Sequence, residues 1–261
     1  MRTLKIHVGP HKTGTTSIQA FLLENARALK ARDHEFYAER VSPFRKRGNA
    51  WALAHALIRP ELATPMRLNG SAKGGLQEDE HLIDAFIKAV QRSDASTILV
   101  SSEAFSFLRT AEEKNALRAL IDPLFDVVVP IVARRRDDKW RQSWNRQIEN
   151  MGAADKLTDL PAAERADAEW YFDFDQIIAF WSSFGDVDIL DYDRSLEEDG
   201  SILPAFLQAA GLTDLGITGD YQLNATLNHE SLANRSVSKL KSLVIRRGTA
   251  RDTDRQPNQA D

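Results

Sequence analysis

The 261-residue chain contains no cysteine, which excludes a disulfide framework and a thiolate zinc site. It also lacks an excess of positive charge. With a net charge of −4 it cannot raise the broad positive field that nucleic acid or an anionic membrane surface requires, so any polyanion contact falls to a local basic patch. No run approaches the ~20 apolar residues needed to span a bilayer. Met1-Arg2-Thr3 leads straight into a strand pattern, without the apolar core of a signal peptide. The expectation is a cytoplasmic protein with no stable membrane insertion and no nucleic-acid partner. The 43% hydrophobic and 28% charged content is ordinary for a globular chain, so the length predicts one α/β domain with room for a modest insertion.

Apolar periodicity supplies the elements. Leu4–Val8 alternates as a strand, Gly9 to Gly14 is a loop, and Ile18, Phe21, Leu22, Ala26 and Leu29 recur at helical spacing from Thr15 onward. Residues 40–80 are broken by Pro43, Pro60, Pro65 and the Gly70–Gly75 stretch, and read as a loop-rich insertion with a short helix near Trp51–Leu57. Further strands are expected at Thr97–Ser101, Val127–Val132 and Val187–Tyr192, and helices at Leu82–Val90, Glu112–Ile121, Trp140–Ile148, Phe174–Phe184 and Ile202–Ala210. Pro130 sits awkwardly inside the third strand, because it cannot donate a ladder hydrogen bond; a bulge or an edge would accommodate it. Strands alternating with helices imply a three-layer α/β/α fold around a mostly parallel sheet. The domain is expected over residues 1–250, with a disordered polar tail at 251–261.

The strongest local signal is Gly9-Pro10-His11-Lys12-Thr13-Gly14-Thr15-Thr16. A two-glycine loop between strand and helix aims backbone N–H groups and the helix dipole at an anion. Lys12 and the hydroxyls of Thr15 and Thr16 add donors. What is missing is the order of an NTPase loop, where lysine directly follows the second glycine and a hydroxyl residue then holds Mg²⁺. Here Thr15 occupies the lysine position and Lys12 precedes Gly14. That arrangement suits transfer without a bound metal, and no metal ligands are expected.

Two further strand ends carry chemistry. Ala133-Arg134-Arg135-Arg136-Asp137-Asp138 closes the third strand, and Ser143 follows Arg135 by eight residues. An arginine fork with a hydroxyl one or two helical turns on can grip one phosphate. The triple arginine leaves Arg134 as an alternative to Arg135. Ser101-Ser102-Glu103 puts a carboxylate just past the second of the four predicted strands, at the sheet edge where open α/β folds bind ligands.

The loop and the Arg135–Ser143 pair together resemble the PAPS-dependent sulfotransferases, in their bacterial branch (PAPS is 3′-phosphoadenosine 5′-phosphosulfate). The likeness spans about residues 3–232, including an Asn-rich segment at Asn224–Leu232, although the Gly-x-x-Gly cofactor loop of the cytosolic enzymes is not evident near the C-terminus. The resemblance implies a P-loop-like sulfotransferase fold and an enzyme that moves a sulfuryl group from PAPS to a hydroxyl or amine. The acceptor would be a small molecule or a carbohydrate. Pro10, His11, Lys12, Thr13, Gly14, Thr15 and Thr16 would then hold the 5′-phosphosulfate, and Arg135 and Ser143 the 3′-phosphate. Lys12 would assist departure of the nucleotide, and Glu103 or His11 would serve as the base. The insertion is expected to recognise the acceptor, with Arg45-Lys46-Arg47, Trp51 and His55 as candidate contacts. A P-loop kinase or nucleotide hydrolase, and a catalytically inactive nucleotide-binding relative, are the alternatives.

Overall fold

The structure is a computed structural model describing residues 1–42, 45–70 and 80–215. The tail at 251–261, the Asn224–Leu232 segment and the 71–75 part of the glycine stretch lie outside the described residues.

A five-stranded, all-parallel sheet forms the centre, with spatial order β2-β5-β1-β6-β7. Its strands are β1 (Thr3–Val8), β2 (His34–Phe36), β5 (Thr97–Ser101), β6 (Val127–Arg134) and β7 (Asp188–Asp191). A separate antiparallel hairpin joins β3 (Glu39–Ser42) to β4 (Arg45–Arg47). Helices α1 (Thr15–Glu24) and α2 (Ala26–Lys30) follow β1. The short helices α3 (Trp51–Leu57) and α4 (Pro65–Leu68) belong to the insertion, and α5 (Glu80–Arg92) leads into β5. After a 3₁₀ turn at Glu103–Phe107 come α6 (Ala111–Ile121), α7 (Asp137–Asn150), α8 (Ala154–Thr158), α9 (Phe174–Trp181), α10 (Tyr192–Asp199) and α11 (Leu203–Ala210).

Strand alternation sorts the core into two layers. Leu4, Ile6, Val8, Ile98, Val100 and Val132 face one cluster with Phe86, Trp140, Trp144 and Trp181. Leu99, Ile131 and Ala133 face the other, with Ile18, Phe21, Phe206 and Leu207. Because successive side chains point to opposite faces, β5 and β6 feed both layers. That is the α/β/α architecture expected from the alternating pattern.

Several boundaries differ from the sequence reading. His34–Phe36 forms a fifth strand, too short to give a period-two signal. The helix expected to reach Phe184 ends at Trp181, and Gly185 lies beyond it, where an added Cβ would fall 2.0 Å from the carbonyl oxygen of Val128. Close backbone approach, rather than helix capping, therefore requires that glycine. Pro130 pairs with Ile6 on one side, while pairing with β7 begins only at Ile131. The proline thus sits where β6 has a strand neighbour on one side only, so its missing N–H interrupts no second ladder.

The insertion is tied down by two arginines. Arg67 donates to carbonyls of His55, Ile58, Arg59 and Leu62, which supplies the donors that the C-terminal end of α3 lacks. Arg59 pairs at 3.1 Å with Glu113, whose buried carboxylate also accepts from the backbone of Arg59, Arg109 and Thr110. Removing either partner of this pair would strand a buried charge, so the insertion is fixed on the α6 side of the sheet.

Candidate active site

Three neighbouring strands, β5, β1 and β6, deliver the candidate residues to one edge. Parallel register sets His7 level with Ser101 and Ile131, so the segments leaving all three carboxyl ends emerge together. They carry Glu103, the Gly9–Gly14 loop and Arg135 respectively. Strands β5 and β6 lie on opposite sides of β1, and such a reversal of strand order is where open α/β sheets form their ligand crevice.

The loop is sharply turned. Lys12 adopts φ 72° and Gly14 φ 77°. The Thr13 hydroxyl is buried and donates to the Pro10 carbonyl at 2.7 Å, so that side chain braces the loop and offers only its amide outward. A Cβ on Gly9 would lie 2.6 Å from Thr15 Oγ1 and 3.0 Å from Thr13 Oγ1, leaving no room for any other residue. Thr15 is buried, while Lys12 and Thr16 are exposed at the mouth. Helix α1 starts at Gly14 without a side-chain cap, which leaves first-turn amides directed into the crevice.

Successive residues at the end of β6 diverge. The Arg135 guanidinium donates to the Lys12 carbonyl at 2.8 Å and lies 5.3 Å from the Tyr192 ring. Arg134 instead stacks 5.0 Å from Phe174. Of the two arginines left open by the sequence, Arg135 is therefore the one beside the loop. Ser143 is half-buried on α7, which the buried Trp140, Trp144 and Ile148 anchor to the core.

Glu103 is held by a network. Asn49 Nδ2 donates to both carboxylate oxygens at 2.8 and 2.9 Å, and Gln19 Nε2 approaches Oε2 at 3.5 Å. The Ser102 hydroxyl donates to Asn49 Oδ1 at 2.8 Å, which orients that amide with its NH₂ toward the glutamate. Burial pushes the Glu103 carboxyl above its ordinary pKa, against the bonds from Asn49 and Gln19 and the charge of Lys12. Partial desolvation holds the Lys12 ammonium below its ordinary value, reinforced by Arg135 and opposed by Glu103.

His11 is placed differently. Its Nδ1 is 2.6 Å from the Tyr171 hydroxyl, and its backbone N–H donates to the same oxygen. The ring sits 4.0 Å from Trp144 and 5.1 Å from Phe107. Burial, with His55 and Lys12 adding to it, holds His11 well below its usual pKa, so the imidazole is neutral. His7 also stays neutral, lowered to about 3 by burial, with Nδ1 2.9 Å from Ser101 Oγ. It serves the sheet interior.

Glu103 and His11 together line a cavity of about 210 Å³. Its other walls come from the insertion (Arg47, Asn49, Trp51, Met66) and from α7 (Trp144, Gln147). The insertion thus reaches the cavity through Arg47, Trp51 and His55. His55 is buried, with Nδ1 on the Trp51 carbonyl and Nε2 on Thr64, so its polar atoms are spent internally. Sequence reasoning missed Asn49, Gln19 and Tyr171. Gln19 left a trace, as a polar residue beside the apolar stripe of α1; Asn49 and Tyr171 left none, because only tertiary packing brings them here. Among the described residues no cluster of three or more His, Asp or Glu side chains is placed to hold a metal ion, and no helix is long and apolar enough to cross a membrane.

No family profile matches the chain, and no curated protein matches it in sequence. Among solved structures, a sulfotransferase from Alicyclobacillus acidocaldarius matches over 94% of this chain and 96% of its own, at a TM-score of 0.53 and 12% identity. The likeness is one of fold: the described residues have the three-layer sulfotransferase architecture.

Proposed function

We propose that this chain is a PAPS-dependent sulfotransferase that moves a sulfuryl group to a hydroxyl or amine of an acceptor. The observation that carries the reading is the convergence of Lys12, Arg135 and Glu103 at the carboxyl ends of three adjacent parallel strands. The residues suit a ligand bearing phosphates. Thr15 Oγ1 and Arg135 Nε are buried without hydrogen-bond partners, and Gly9 leaves the loop no space for a side chain. Buried donors without partners are costly unless a ligand or water meets them.

The donor, when bound, supplies an activated sulfuryl group on its 5′-phosphate. The amides of residues 12–16, the α1 N-terminus and Lys12 bind the phosphosulfate end. Arg135, with Ser143, binds the 3′-phosphate as a planar fork. Glu103 accepts the acceptor's proton, its burial making it a stronger base than a solvated carboxylate. His11, whose Nδ1 is engaged by the Tyr171 hydroxyl, lines the same cavity and is the alternative base. Lys12 stabilises negative charge as it builds on the departing phosphate oxygen.

The test is thermal denaturation with adenosine 3′,5′-bisphosphate compared with ATP and Mg²⁺. A ligand at 100 times its Kd stabilises by about 2.7 kcal/mol. The bisphosphate should raise the midpoint and ATP with Mg²⁺ should not; the reverse order would return the chain to the kinase or hydrolase class.

A further inference from the structure

Glu103 and His11 line one cavity as rival bases, and a single hydroxyl separates their roles. We infer that Tyr171 is a positioning residue that fixes His11 as its Nε2–H tautomer, so that the imidazole offers the cavity a hydrogen-bond donor and not a base. The tautomer stands on contacts within the chain; the ligand that meets the donor rests on the sulfotransferase reading above.

Counting protons around the Tyr171 oxygen carries the argument. That oxygen lies 2.6 Å from His11 Nδ1, accepts from the His11 backbone N–H at 3.3 Å and stands 3.4 Å from Ser106 Oγ. Tyr171 keeps its own proton, because burial raises the hydroxyl above its ordinary pKa. The Ser106 proton is spent on the Glu103 carbonyl at 2.7 Å. Two arrangements remain. If Tyr171 donates to Nδ1, its proton is satisfied by the shortest contact available. If Nδ1 donates instead, the tyrosine proton is left with Ser106 at 3.4 Å, outside the range of about 2.5–3.0 Å for a hydroxyl donor and an oxygen. A buried donor would then be unmet, which is costly. The 2.6 Å contact is also shorter than the usual span of about 2.7–3.2 Å for an N–H donor, and it fits a hydroxyl one. Tyr171 therefore donates, Nδ1 accepts, and the ring hydrogen resides on Nε2.

Packing makes the choice permanent. The Tyr171 ring is held 4.8 Å from Phe107, 5.2 Å from Trp140 and 5.3 Å from Trp144, and the His11 ring sits 4.0 Å from Trp144. Neither partner can turn away from the other. Among the described residues Nε2 makes no hydrogen bond, while the ring borders the cavity. With Nδ1 engaged and Nε2 protonated, His11 has no lone pair left for an acceptor's proton, and that task falls to Glu103. Burial, aided by His55 and Lys12, keeps the imidazole uncharged. His11 directly precedes Lys12 in the loop, so its N–H is a neutral donor beside the cation, suited to an oxygen of the sulfuryl group.

The experiment is long-range ¹H–¹⁵N NMR on the full chain, with the His11 signals assigned by their loss in His11→Gln. The ligand-free protein at neutral pH should show His11 as Nε2–H; the Nδ1–H form would overturn the proposal. Tyr171→Phe keeps the ring and removes the hydroxyl, so His11 should become a mixture of tautomers. A pure Nε2–H form in that variant would take the positioning role from Tyr171. Ser106→Ala should leave the wild-type tautomer intact, and its loss there would show that Ser106, not Nδ1, receives the tyrosine proton. PAPS and adenosine 3′,5′-bisphosphate differ by the sulfuryl group alone. The Nε2 signal should shift with PAPS beyond any shift with the bisphosphate; equal shifts would remove the sulfuryl contact. If neither nucleotide raises the melting temperature of the wild-type chain, the sulfotransferase reading falls, and the tautomer is judged by the ligand-free spectra.

Discussion

The Gly9–Thr16 loop and the cavity beside Glu103 meet at His11 but are assembled in opposite ways. Nearly everything in the loop lies within the eight residues from Gly9 to Thr16, and its shape comes from backbone: two positive φ values, a braced Thr13 and a glycine with no room for a Cβ. The cavity gathers side chains from the hairpin, α3, α4, the turn after β5 and α7, brought together only by the packing of the insertion on the sheet. Phosphate recognition can be written locally because amides and one cation suffice. The shape of a cavity and the polar groups it leaves open depend on packing, and both are tertiary properties.

Substitutions at the boundary between the two regions probe this contrast most strongly. Glu103→Gln keeps the shape and removes the base; sulfuryl transfer should fall by about 10²–10⁴ while bisphosphate-induced stabilisation persists. Retained turnover in a rate assay would remove Glu103 from the role. Lys12→Ala should strike both readouts, lowering turnover by about 10²–10³ and weakening nucleotide binding measured by calorimetry. A smaller effect separates the two arginines. Arg135→Ala should weaken bisphosphate binding by about tenfold or more, the value of a charge-assisted hydrogen bond, whereas Arg134→Ala, stacked on Phe174, should leave it near wild type; the opposite ranking would shift the phosphate grip by one residue.

The smallest effect is a change in pH dependence. Asn49 donates to the charged form of Glu103 and so lowers its pKa against the burial that raises it. In Asn49→Ala that pKa should rise, and the acid limb of the kcat/KM profile should move to higher pH with nucleotide binding unchanged. A profile that falls in height without shifting would make Asn49 merely structural.

The same contrast explains how much could be read in advance. The strand–loop–helix of residues 4–24, the strand at Thr97–Ser101 and the placement of Lys12, Glu103 and Arg135 at one edge follow from local periodicity, together with the rule that parallel sheets bind ligands at their carboxyl ends. Arg134 and Arg135 could not be separated without the structure, because choosing between them requires knowing which face of β6 meets α9. The short strand His34–Phe36 and the hairpin after it carry too few residues to show a period. Asn49 and Tyr171 are invisible for a further reason: each is 54 residues or more from the partner it serves, with no motif connecting them. The 40–80 insertion, expected to recognise the acceptor, contributes Arg47, Trp51 and His55 to the cavity beside Glu103.

Lys12 carries a side chain at φ 72°, in the left-handed region that glycine occupies without penalty. Holding a lysine there costs on the order of 1 kcal/mol or more. A Lys12→Gly chain should therefore melt at a higher temperature than the natural protein while losing its activity. The residue is kept against the comfort of its own backbone, and a screen that selected this protein for robustness alone would discard it early.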